Sequence, residues 1–174
     1  MGKLVLILGG ARSGKSSFAQ TLARGIAGDD VLFVATADAR DDEMTERIAR
    51  HRESRPSEWE TREVPRFLGE ALNEKPTVHQ VILIDCLTLW VSNTLLSFSD
   101  AADFSEIELQ VRSELDSLIE VAESHRGTTI VVSGEVGQGI VPDSVLARRY
   151  RDLLGWANQM LAARSDAVYQ LTGG

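Results

Sequence analysis

This chain of 174 residues has one cysteine, Cys86, so no internal disulfide can form, and a lone thiol beside a predicted strand end reads as packing. It lacks any apolar run near the roughly 18 residues that a membrane-spanning helix needs. The N-terminal run Leu4 to Leu8 stops at Gly9 with no small-residue cleavage site beyond it, which argues for a buried strand over an export signal. The expectation is a soluble, cytoplasmic protein. Positive charge is also short: Lys and Arg number 18 against 26 Asp and Glu, a formal net charge of -8. Broad nucleic-acid binding draws its affinity from cations that neutralise backbone phosphates, so this balance speaks against it and for a small-molecule ligand. Part of the acidic excess lies between Asp100 and Glu123, where Arg112 is the single cation, and reads as a solvated helix face without a catalytic role. The chain carries no internal repeat and no linker, and its length suits a single domain spanning residues 1–174.

What is present is an alternation of two periods. Continuous apolar runs predict buried strands at Lys3–Leu8, Val31–Thr36, Val81–Asp85, Thr128–Ser133 and Ala167–Leu171, with a short extended piece at Trp59–Val64. Between them, helical spacing covers Lys15–Ala27, where Phe18, Leu22 and Ile26 share a face, and a stretch from the caps Asp41 and Asp42 to about Arg52. Further helices are predicted from Pro65 to Asn73, Leu87 to Leu96, Ser105 to His125, and Asp143 to Arg164 with an interruption at Gly155. Strands alternating with helices predict a three-layer α/β/α domain around a mostly parallel sheet. Trp59, Trp90 and Trp156 read as core or interface residues, and His79 and His125, at element ends, as surface residues.

The strongest local signal is Gly9-Gly10-Ala11-Arg12-Ser13-Gly14-Lys15-Ser16, which satisfies G-x-x-x-x-G-K-[ST] and falls between a predicted strand and a predicted helix. A chance match in this length is on the order of one in a hundred, and the strand-loop-helix context lowers it further. In such a P-loop the glycines let the backbone aim successive N–H groups at phosphate oxygens, and the helix N-terminus adds partial positive charge. Lys15 then reaches the β- and γ-phosphates, and Ser16 offers its hydroxyl to magnesium. P-loop proteins also need an acidic residue closing a neighbouring buried strand, where it holds the magnesium. Asp85, after Val81-Ile82-Leu83-Ile84, fits that role, and Glu135 is a second, weaker candidate. Nucleoside triphosphate binding with magnesium follows; the class of P-loop protein does not, since kinases, switches and motors share the loop.

The segment Asp41-Asp42-Glu43-Met44 through His51-Arg52 to Arg55-Pro56, with Trp59 beyond, narrows the choice. It resembles a signature of the bifunctional adenosylcobinamide kinase and adenosylcobinamide-phosphate guanylyltransferase family of cobalamin biosynthesis. Further matches are the P-loop itself, Ala35-Thr36, Asp85-Cys86-Leu87-Thr88-Leu89-Trp90-Val91-Ser92-Asn93, and Glu135-Val136-Gly137 with Gly139-Ile140-Val141-Pro142. One departure is Gly134, where that family usually has Asn.

The resemblance implies two reactions: phosphorylation of adenosylcobinamide with ATP or GTP, then transfer of GMP from GTP by way of a covalent GMP-histidine to give adenosylcobinamide-GDP. His51 stands where the family carries that histidine, and Lys15 is the implied catalytic lysine. The nucleotide contacts it implies are Thr36, Ala37 and Asp38 after the second strand, Arg52, Glu53, Ser54 and Arg55 after the histidine, and Glu63 near the guanine. A homo-oligomer, commonly a trimer, is implied as well. From the residues alone, His51 shares a helical face with Met44, Arg47 and Ile48, and the cations Arg47, Arg52 and Arg55 would favour its neutral, nucleophilic form. A P-loop small-molecule kinase without guanylyl transfer and a non-enzymatic nucleotide switch are the alternative readings.

Overall fold

A computed structural model describes residues 2–39, 42–53, 55–99 and 101–173, excepting the side chains at positions 43, 44, 47, 50, 51 and 53. In chain order the elements are β1 (Lys3–Gly9), α1 (Lys15–Ala27), β2 (Val31–Ala35), α2 (Asp42–Glu53), β3 (Glu60–Glu63) and α3 (Leu68–Glu74). They continue as β4 (Val81–Asp85), α4 (Leu87–Leu95), α5 (Phe104–Ser124), β5 (Thr128–Gly134), α6 (Val145–Arg164) and β6 (Ala167–Leu171).

The strands form one sheet of six in the order β3-β2-β4-β5-β1-β6, with every pairing parallel. A parallel sheet must bury both faces, which is why β2, Val-Leu-Phe-Val-Ala, is apolar without alternation. Successive side chains still point to opposite sides. Leu4, Leu6, Leu32, Val34, Ile82 and Ile84 therefore pack with α3, α4, α5 and α6 on one face. Val5, Ile7, Val31, Phe33, Val81 and Leu83 pack with Ala19 and Ala23 of α1 and with Trp59 on the other. Each fully buried side chain of this size contributes roughly 1.5–3 kcal/mol relative to leaving it in water. The edge strand β3, Glu-Thr-Arg-Glu, is the polar exception, and charges on an edge discourage pairing with another chain.

Five expectations are corrected in detail. The last long helix opens at Val145 with Ser144 as its cap, whose Oγ accepts from the Ala147 N–H at 3.4 Å, not at Asp143. It also runs unbroken through Gly155, because Leu153, Leu154, Ala157 and Leu161 are buried along it and outweigh the ~1 kcal/mol that a glycine costs a helix. The helix predicted to start at Pro65 begins at Leu68, after Phe67 in left-handed geometry at φ 51°. Glu114 leaves the solvated face expected of α5 and is buried, accepting the Gly69 N–H at 3.2 Å. His79 and His125 are half-buried rather than surface residues: the His125 Nε2 meets the His79 carbonyl at 2.7 Å. Trp59 and Trp90 are core residues as expected, and Trp156 packs at the rim under the Arg112 guanidinium, 4.4 Å from its ring centre.

Candidate active site

The C-terminal ends of β1, β2, β4 and β5 lie along one edge of the sheet, where an open α/β fold binds its ligands. From β1 the chain turns through residues 10–14 directly into α1. Gly9 has no room for a side chain, since a Cβ there would come 2.7 Å from the Leu171 carbonyl oxygen and press on Ser13. Gly14 stands at φ 85°, a region open to glycine and costly for other residues, and Arg12 takes the same hand at φ 58°. No side chain caps α1 and its first turn holds no acid, so its N–H groups and the positive end of its dipole are left to an anion. The Lys15 ammonium reaches back to donate to the Gly10 carbonyl at 2.9 Å, across the mouth of the loop. The Ser13 hydroxyl is buried inside the loop without a hydrogen-bond partner among the described residues.

Facing this cradle is the turn from β4 into α4, held by one threonine. Thr36 is wholly buried: its hydroxyl donates to the Cys86 carbonyl at 2.6 Å and accepts the Cys86 N–H at 2.8 Å. Its own carbonyl accepts from Asn93 Nδ2 at 2.8 Å. Asp85 is thereby fixed at the strand end. The Arg55 guanidinium lies 4.2 Å above the Phe33 ring, and its Nε is buried without a partner among the described residues. Burial lowers the Arg55 pKa, the Asp85 carboxylate pulls it back up, Arg52 lowers it further, and Glu63 raises it. Burial above all, and then Asp85, push the Cys86 thiol up to about 11, and burial pushes the Tyr150 phenol, 3.3 Å from the Thr88 carbonyl, up to about 12. Both stay protonated at neutral pH.

Between cradle and turn lies a cavity of 260 Å³ lined by Ala11, Lys15, Ser16, Ala37, Ile48, Arg55, Asp85, Cys86, Thr88, Leu89, Gly134, Glu135 and Val136. A larger cavity of 570 Å³ opens at the opposite end of the strands, between the loop before β4 and the end of α5, but holds neither a phosphate cradle nor a carboxylate. The smaller one has the chemistry.

Of the residues expected at the site, Ala11, Lys15, Ser16, Ala37, Arg55 and Asp85 meet in this cavity, and Gly9, Gly10, Arg12, Ser13 and Gly14 form the loop beside it. Thr36 braces the site from within the sheet. Asp38 is partly exposed outside the lining. Arg52 and Glu63 form an exposed ion pair with each other between α2 and β3, outside the lining but near enough to Arg55 to act on its charge. Ser54 and the side chains of His51 and Glu53 lie outside the described residues. The backbone of His51 is in the last turn of α2, between Ile48 and Arg55, both of which line the cavity.

Ile48, Cys86, Thr88, Leu89, Gly134, Glu135 and Val136 line the cavity too; of these, Ile48, Thr88, Leu89 and Val136 stand in the motifs that carry the resemblance or on the His51 helix face, with no contact assigned to them from the sequence. Their signal was positional: Thr88 follows the end of β4 and Val136 the end of β5, the places where this fold exposes side chains to a ligand. Gly134 is tied to that pair of ends. Its N–H donates to Thr88 Oγ1 at 2.6 Å, its carbonyl accepts from Asn158 Nδ2 at 3.1 Å, and a Cβ on it would stand 2.9 Å from Thr88 Oγ1. An asparagine at this position would require Thr88 to turn.

Solved structures with the same fold include the RadB recombinase, at TM-score 0.54 and 17% identity over 98% of this chain and 74% of that one. Another is the flagellar accessory protein FlaH from Methanocaldococcus jannaschii, at 0.51 and 15% over 97% and 70%. Sequence relatives are much nearer. The bifunctional adenosylcobalamin biosynthesis protein CobU of Escherichia coli (strain K12) is 38% identical over 98% of this chain and 96% of its own length. The corresponding CobP of Pseudomonas aeruginosa is 42% identical over 94% and 89%. The family model described as cobinamide kinase / cobinamide phosphate guanyltransferase matches residues 5–174, and with these relatives of nearly equal length the chain belongs to that family.

Proposed function

We propose that this chain phosphorylates adenosylcobinamide with ATP or GTP and then transfers GMP from GTP to the product, giving adenosylcobinamide-GDP. The observation that carries the reading is the single cavity in which Lys15, Ser16, Asp85 and Arg55 converge at the uncapped N-terminus of α1, bordered by the α2 turn that bears His51. In the first reaction the loop N–H groups and Lys15 hold the triphosphate in line with the acceptor hydroxyl, so that catalysis is positioning and charge stabilisation. The Ser16 hydroxyl and the Asp85 carboxylate both line the cavity and, as hard oxygen donors, would suit magnesium. Bound there, magnesium supplies neutralisation of the charge spread over the β- and γ-phosphates.

In the second reaction neutral His51 attacks the α-phosphorus of GTP, pyrophosphate leaves, and the phosphate of the first product then takes the GMP. Arg55, half-buried with its Nε unpartnered among the described residues, is a cation suited to bind the triphosphate beside that histidine. Glu63, held by Arg52 at the end of β3, offers a carboxylate that can accept from guanine N1 and the 2-amino group, which adenine lacks.

The test is to assay the two half-reactions separately in wild type and in Lys15→Ala. Both should fall at least about a hundredfold in the variant; phosphorylation surviving in Lys15→Ala would count against one shared cradle, and a wild type idle on the corrinoid against the whole reading. A homo-oligomer, a trimer by the family resemblance, is part of the same proposal. It is supported by the exposed apolar run Ile140, Val141, Val145 and Leu146. A monomer in sedimentation velocity at micromolar concentration would contradict it.

A further inference from the structure

We propose that Glu135 is the catalytic base of the phosphoryl-transfer step, taking the proton of the acceptor hydroxyl. The inference rests on the kinase reading above. Its ground is the strand order: β5 lies between β1, which carries the cradle, and β4, which carries Asp85. Asp85 is level with Val132, whereas Gly9 is level with Gly134, and the Glu135 N–H donates to the Gly9 carbonyl at 3.1 Å. Glu135 thus stands three residues beyond the level of Asp85, roughly 10 Å further out along the strand direction at 3.3 Å per residue. The two carboxylates line one cavity, Asp85 at the level of Val132 and Glu135 just past the level of Gly9 and Gly134, so that one is available for the nucleotide end and the other for the acceptor.

The remaining lining groups are unsuited to the task. Lys15 is a cation, Cys86 holds its proton because burial raises the thiol to about 11, and the Thr88 hydroxyl is engaged with the Gly134 N–H. Glu135 keeps one oxygen on the Gly137 N–H, which orients the carboxylate, and its other oxygen has no protein partner among the described residues. The step balances. The acceptor O–H gives its proton to Glu135, its oxygen bonds to the γ-phosphorus, and the bond from that phosphorus to the β–γ bridging oxygen breaks. The electron pair leaves on the nucleoside diphosphate, and Glu135 returns the proton to water after release.

Guanylyl transfer differs in one respect that makes the role testable. Its acceptor is a phosphate, ionised at neutral pH, with no hydroxyl proton to remove. Glu135→Gln keeps the oxygen that accepts from Gly137 and removes only the basicity. In the full-length variant, kcat for adenosylcobinamide phosphorylation should drop by about 100- to 10,000-fold with KM for ATP changed by less than about threefold. GMP transfer to supplied adenosylcobinamide phosphate should stay within about threefold of wild type. Phosphorylation at near wild-type kcat overturns the assignment, and so does a parallel loss in both half-reactions, which would make Glu135 a nucleotide-holding or structural residue. A wild type inactive on the corrinoid removes the functional reading and this inference with it; an active wild type beside an unimpaired variant removes the inference alone.

Discussion

Thr36 holds the Asp85–Cys86 turn through both faces of one hydroxyl, and the site depends on it without touching the cavity. Thr36→Val keeps the shape, removes the bond to the Cys86 carbonyl, and strands the Cys86 N–H in a buried place. Losing one buried bond and leaving a donor unpaired costs roughly 2–4 kcal/mol together. Urea unfolding should show a loss of that order, with Thr36→Ser recovering most of it; a valine variant as stable as wild type would mean the hydroxyl bonds are incidental. The family resemblance implies Thr36 as a nucleotide contact, as the residue that follows the second strand. Only the register of β2 on β4, Ala35 opposite Asp85, decides that its side chain faces the neighbouring turn. The cradle residues were legible for the opposite reason. Spacing alone dictates that Gly9 and Gly14 form a tight loop and that Lys15 opens a helix, because the backbone conformations there exclude most other residues.

At the level of elements, periodicity located every strand and helix, and tertiary packing decided their ends. α5 is the instructive case. Its acidic composition predicts a wet face, yet Glu114 is inside against α3. Burial raises the Glu114 pKa above its ordinary 4.5, partly offset by the Gly69 N–H, with Glu70 adding to the rise. A carboxyl whose folded pKa is raised stabilises the fold below the unfolded value and loses that contribution as pH climbs through the folded one. At pH 7, above the unfolded value, the raised pKa therefore costs the fold stability. Glu114→Gln keeps an oxygen for the Gly69 N–H and sheds the charge, so its melting temperature at pH 7 should exceed that of wild type by roughly 2–4 °C. The advantage should vanish in melts below pH 4.5. An unchanged or lower melting temperature at pH 7 would show that the carboxylate is better solvated than its burial indicates.

For the molecule as a whole, alternating strands and helices made the three-layer parallel architecture readable, because a parallel sheet needs a helix to return the chain after each strand. The strand order was not readable. Nothing in local sequence places β5 between β1 and β4, and that placement brings Glu135, Thr88 and Gly134 into one cavity with the cradle. One phosphate cradle, two carboxylates at different levels along the sheet and a histidine-bearing helix beside them are then the parts the proposed two-step transferase would use. We propose that the cradle presents GTP to His51 for covalent transfer. Mass spectrometry of the intact protein after incubation with GTP and magnesium tests it most directly. The expected result is an acid-labile GMP adduct that maps to His51 and is absent from His51→Ala; an adduct that persists in His51→Ala, or none on protein that completes guanylyl transfer, would contradict it.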